Sequence, residues 1–179
     1  MRAFLLGIIC TLLVIILGGY YVVKKGYMNT QADQAPPALE RKIAMTAVDA
    51  SIERRAVEQK NPVQPTDENL AAGAKIFADH CAGCHGLPSN PNSQFGRSFN
   101  PPVPQFFTEA PDMAEYQNFY VIKHGTRWTG MPSWAGMLND TQIWTVVGFL
   151  GKIEKLPPAA QKALEPAPAA AAAPSTPSR

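Results

Sequence analysis

Apolar and polar positions fall into four regimes along this chain, and each predicts a different element. Residues 3–23 form an unbroken run of 21 uncharged residues, AFLLGIICTLLVIILGGYYVV. As a helix the run spans roughly 31 Å, matched to the ~30 Å hydrocarbon core of a bilayer. Arg2 flanks one end, Lys24 and Lys25 the other, and Tyr20, Tyr21 and Tyr27 sit where an aromatic belt would lie. A cleaved signal peptide is the competing reading. Its apolar core is usually about 7 to 15 residues long and is followed by a small-residue cleavage site. This run is longer, no convincing A-x-A site follows it, and Gly7-Ile8-Ile9 before Cys10 does not resemble a lipoprotein signal. Residues 1–25 are expected to be an uncleaved transmembrane anchor, with Cys10 a small apolar residue inside the span.

Residues 26–65 turn polar, with prolines at 36, 37, 62 and 65. Between the proline pairs, residues 39–58 lack Gly and Pro and are rich in Ala, Glu and Arg, which predicts a helix within a stalk. Leu39, Ile43 and Ala47 recur at four-residue spacing, and Val48 and Ile52 form a neighbouring row. Such a stripe suits packing on the following domain, on another subunit or on the bilayer surface; a semi-rigid spacer is the plainer alternative. Residues 66–156 carry helical periodicity. Thr66-Asp67 caps a helix over 68–80, and a second helix over about 112–124 closes at Gly125. A third runs from 139 or 140 to about 152, where Asn139 with Gln142 approximates a capping box and Ile143, Trp144, Val147 and Leu150 make an apolar face. The Pro-rich stretch between Asn90 and Pro104 cannot continue a helix and is expected as loop. From Pro157 to Arg179 the Pro/Ala composition offers too little apolar bulk to repay ordering, so 157–179 are expected to be disordered.

Composition and charge add exclusions. At 179 residues there is room for one modest domain with attachments. The formal net charge of +2 gives no basic footprint for nucleic acid. Residues 66–156 hold eight acidic and six basic side chains and residues 24–65 hold seven basic and five acidic, imbalances too small to identify a partner.

The decisive chemistry is Cys81-Ala82-Gly83-Cys84-His85, the C-x-x-C-H pattern of covalent haem attachment. Two thiols on one helical turn can each add to a vinyl group of the same porphyrin, and the adjacent imidazole then faces the iron as its proximal ligand. A structural zinc site would need a second ligand pair, and the remaining cysteine, Cys10, lies far away in the apolar run. A thioredoxin-like dithiol would need a βαβ context that the sequence does not supply. A plain disulfide leaves His85 unexplained.

With Gly73 and Phe77 before CAGCH, Gly130-Met131-Pro132 after it, and a terminal amphipathic helix bearing Trp144 and Phe149, residues 66–156 resemble the class I c-type cytochromes. The resemblance implies an all-α fold, three main helices and loops around one haem c, behind the N-terminal transmembrane helix. It implies that the first and last helices cross at Gly73, close to Trp144 or Phe149. It points to Met131, 46 positions after His85, as the second axial ligand. A thioether there raises the reduction potential. Met113 and Met137 read as ordinary apolar residues. His124, at a helix C-terminus, and His80, which should point away from the iron, are the alternative ligands to Met131. A proximal His commonly donates its other nitrogen to a carbonyl, and Pro101 or Pro102 is the expected acceptor. Arg127 and Trp128 are candidate donors to a haem propionate, against the plainer readings of an exposed Arg and a core Trp.

Together these features imply a membrane-tethered single-electron carrier, not an enzyme in itself, passing electrons between membrane redox complexes such as those of a respiratory chain. The alternatives are a fixed cytochrome subunit of a respiratory or photosynthetic complex and a five-coordinate haem sensor or peroxidase. The lysine pair after the anchor would by itself favour a cytoplasmic carboxyl end. The resemblance overrides it, because haem attachment in bacterial c-type cytochromes takes place outside the cytoplasmic membrane. A single pass through that inner membrane is expected, with the haem domain on the periplasmic or extracellular side.

Overall fold

The computed structural model describes residues 1–165 and divides into two compact units, Met1–Gln34 and the chain from Ala35 onward. The first unit is the helix α1 (Arg2–Lys24), whose uncharged run leaves every residue exposed and which is long and apolar enough to cross a membrane.

The second unit is helical, and no strand is present among its described residues. Its elements are α2 (Ala38–Arg55), α3 (Asp67–His80), α4 (Ala82–His85), α5 (Gln94–Arg97), α6 (Glu115–His124), α7 (Asp140–Leu150) and α8 (Pro158–Ala163). Helix α3 starts where the Thr66 side chain accepts from the Asn69 N–H at 3.3 Å, with Asp67 and Glu68 in the first turn to oppose the helix dipole. Its buried Leu70, Ala74 and Phe77 recur one turn apart and face α7 and α8. Helix α7 opens with a complete capping box: Gln142 N–H donates to Asn139 Oδ1 at 2.9 Å, and Asn139 N–H donates to Gln142 Oε1 at 3.0 Å.

The core sits where α3 crosses α7. A Cβ on Gly73 would lie 2.5 Å from the Thr145 carbonyl oxygen and 2.7 Å from Phe149 Cβ, so the backbones meet at a point where only glycine fits. Beside that point the fully buried Phe77 and Phe149 rings pack at 5.3 Å. Trp144, the other candidate for the close approach, stacks instead on Phe119 of α6 at 4.2 Å.

Several expectations are corrected. Helix α6 begins at Glu115 and not near 112, because the Ala114 N–H donates to Gln117 Oε1 and Asn118 Nδ2 donates to the Met113 carbonyl, holding the approach extended. The stretch between Asn90 and Pro104 is not loop throughout: Ser93 caps the single turn α5. The tail expected to be disordered from Pro157 instead begins with α8, whose Ala160 and Leu164 are buried in the same core against α3. Pro158 in the first turn pre-sets the helix, and a small apolar pair suffices where a neighbour already offers a surface. The rest of that expectation, residues 166–179, lies outside the described residues.

Helix α2 ends at Arg55, earlier than 58, since Ala56 takes an extended backbone. Its Val48/Ile52 row is the one that packs, with Ile52 buried and α2 resting on α6, whereas Leu39 and Ile43 stay exposed. Asn61 then ties the stalk's end to α7, its Nδ2 donating to the Trp144 carbonyl at 3.1 Å. The later part of the stalk is thus part of the folded unit.

Candidate functional site

Helix α3 delivers the chain to Cys81, and the one-turn helix α4 carries Cys84 and His85. The turn stops at Gly86, whose φ of 85° is left-handed backbone, and this leaves the last carbonyls of α4 without helical partners. The following loop supplies donors. Ser93 Oγ donates to Gly83 O at 2.5 Å, and Gln105 Nε2 donates to Cys84 O at 3.0 Å and to Val103 O at 2.8 Å. Gln105 Oε1 accepts from the Ser93 N–H at 2.7 Å, which joins the two donors into one network. Gly96 packs directly on the Cys84 carbonyl and leaves no room for a side chain.

His85 is buried, and its Nδ1 lies 2.9 Å from the Pro104 carbonyl oxygen. A carbonyl can only accept, so Nδ1 carries the proton and Nε2 keeps its lone pair. Pro104 therefore replaces Pro101 and Pro102 as the acceptor. Phe106 stacks on the imidazole at 4.3 Å with a 6° interplanar angle, and its N–H donates to the His85 carbonyl at 3.2 Å, which sets the ring plane. Burial lowers the imidazole pKa, partly opposed by the Pro104 hydrogen bond, and favours the neutral form.

Burial, assisted by the neighbouring Cys84, pushes the Cys81 thiol up to about 12. A reactive dithiol needs a depressed thiol pKa, and the shift at Cys81 runs the other way. Among the described residues no group of three or more His, Cys, Asp and Glu side chains converges as a metal site. The donor set fits a haem: two thiols on one turn for thioether bonds and an imidazole held by its far nitrogen.

Met131 is half-buried and packs against the same apolar core as Cys81. Its loop meets the rest of the unit at two further points: Gly130 abuts the Phe99 ring, just after α5, and Trp134 lies 5.5 Å from His80, the last residue of α3. Both alternative ligands are exposed, His80 on α3 and His124 at the end of α6 with its ring against Tyr120. Arg127 is exposed, and Trp128 is 76% exposed with a φ of 63°, so it is not a core residue. Sequence reasoning missed Ser93, Gln105 and Phe106. Asking where the orphaned carbonyls of a one-turn helix find donors would have pointed to the first two.

A family model described as cytochrome c oxidase, cbb3-type, subunit III matches residues 68–150. The cbb3-type cytochrome c oxidase subunit FixPc of Rhizobium leguminosarum bv. viciae is 32% identical over 99 residues, covering 48% of this chain and 29% of that protein. Cytochrome c6 of Parathermosynechococcus lividus is 33% identical over 82 residues, 46% of this chain and 87% of that relative. Cytochrome c6 of Synechococcus elongatus matches to the same extent.

Proposed function

This chain belongs to the monohaem c-type cytochromes, electron carriers of class I fold that hold one covalent haem c, and on that premise we propose that it is a membrane-tethered carrier of single electrons with His85 and Met131 as axial ligands. The observation that carries the reading is the His85 imidazole, buried next to the half-buried Cys81/Cys84 pair and fixed at Nδ1 by Pro104. A haem c bound through Cys81 and Cys84 supplies a one-electron iron couple. His85 would supply its Nε2 lone pair to the iron, and Phe106, stacked on the imidazole, keeps the ring from turning. Met131 contributes a neutral sulfur from a short turn, and a His/Met pair leaves no position at which a substrate need bind. Arg127 and Trp128, exposed just ahead of that turn, are assigned to a haem propionate.

Helix α1 is the anchor, and the haem unit lies on the periplasmic side of a bacterial inner membrane. Because α2 packs on α6, the segment between α1 and the haem unit is residues 25–37, which would reach at most about 45 Å if fully extended. A short tether keeps the effective concentration near membrane redox partners high. It also favours a second reading, a fixed subunit of a cbb3-type oxidase, which the match to that family model supports.

The tethering is tested on membranes of cells making the full chain. Alkaline carbonate is expected to leave the haem protein in the pellet, mild detergent to release it, and protease added to spheroplasts to remove the haem unit. Release by carbonate, or protection from protease, contradicts the proposal. Copurification at fixed stoichiometry with an oxidase selects the subunit reading, and a lone monomer selects the tethered carrier.

A further inference from the structure

We propose that Thr129 is a positioning residue that holds Met131 on the iron, an inference that rests on the ligation reading above. Its hydroxyl is used twice, donating to the Thr126 carbonyl at 2.7 Å and accepting from the Met131 N–H at 3.1 Å. The Met131 carbonyl in turn accepts from the Thr126 N–H at 3.1 Å. Both peptide groups flanking the Met131 Cα are therefore tied back to the start of one six-residue turn. Within that turn Trp128 sits at φ 63°, an uncommon conformation for a bulky side chain that persists where surrounding bonds over-determine it.

The same turn is confined from outside. Gly125 has a φ of 68°, and a Cβ there would lie 2.8 Å from the Met131 carbonyl oxygen and 2.6 Å from the Pro132 carbonyl carbon. On the far side Gly130 rests on Phe99. Ser133 Oγ and the Trp134 and Ala135 N–H groups bind carbonyls of Ile122 and Lys123, which fastens the exit of the turn to α6. Thr129 is the side chain that closes the interior. Removing its hydroxyl leaves the Met131 N–H without its partner and releases the segment that carries the sulfur.

A thioether is a weak ligand that external bases displace, so its hold depends on how narrowly the loop confines the sulfur. Imidazole is the probe, titrated into the oxidised holoprotein while the weak red absorption band of Fe–S(Met) bonding is followed. Thr129→Val keeps the shape and loses the hydroxyl. It is expected to bind imidazole roughly 3- to 10-fold more tightly than wild type, the factor for one net hydrogen bond. Thr129→Ser keeps the hydroxyl and is expected to stay within about twofold of wild type on the same scale. Thr129→Ala supplies the same test where the valine variant does not fold. A valine variant indistinguishable from wild type overturns the positioning role while leaving ligation by Met131 intact, as does a serine variant shifted equally. A wild-type protein without the band overturns ligation, and the positioning role with it.

Discussion

Gly73→Ala is expected to destabilise the haem unit by about 3 kcal/mol, at the upper end of overpacking costs. The reason lies in what a Cβ would meet. The Thr145 carbonyl oxygen at 2.5 Å is backbone, and Phe149 Cβ at 2.7 Å is fixed to it, so no rotamer change relieves the clash. Helices α3 and α7 must separate, and the buried Phe77–Phe149 pair opens with them. Thermal unfolding of the holoprotein checks this, with a midpoint lower by roughly 10–20 °C for a domain of this size. A midpoint within about 2 °C of wild type, less than 1 kcal/mol on the same scale, would mean that the crossing is looser than described.

The second large effect concerns the cofactor. The double variant Cys81→Ala/Cys84→Ala is expected to retain no haem after acid–acetone extraction or on a denaturing gel, whereas wild type keeps it through both. Each single variant should keep one thioether, and its reduced spectrum should shift because one vinyl group stays unsaturated. The expectation follows from the C-x-x-C-H spacing of the two thiols, which no third His, Cys, Asp or Glu side chain joins as a metal group among the described residues. A wild-type protein that releases its haem to acid–acetone would contradict it.

Much of this architecture is legible in the residue pattern because short-range physics determines it. The caps Thr66 and Asn139, the Gly125 stop and the C-x-x-C-H turn each act within a few residues. The small residue at the helix crossing came from the family resemblance, and the structure supplies the contact that explains it. Features set by the course of the chain in space were not legible. Pro101, Pro102 and Pro104 look equivalent as acceptors, and the fold of the loop after α5 decides for Pro104. Gln105 reaches back 21 residues to the Cys84 carbonyl, a separation that no local rule covers. Helix α8 was hidden by averaging Ala160 and Leu164 into a Pro/Ala tail, although α3 gives both a buried position. The stalk carried two apolar rows of similar strength, and which one packs depended on where α6 lies.

A closed His/Met site for transfer of one electron at a time has a spectroscopic signature, read from the oxidised holoprotein with wild type beside Met131→Ala. Wild type is expected to show the weak red band of Fe–S(Met) bonding and the variant to lose it. The variant's midpoint is expected to fall by ~0.1 V or more, within the roughly 0.8 V over which axial ligands set haem potentials. A wild-type spectrum without the band, or a variant that keeps it, would contradict the assignment and return His124 and an open coordination site to consideration.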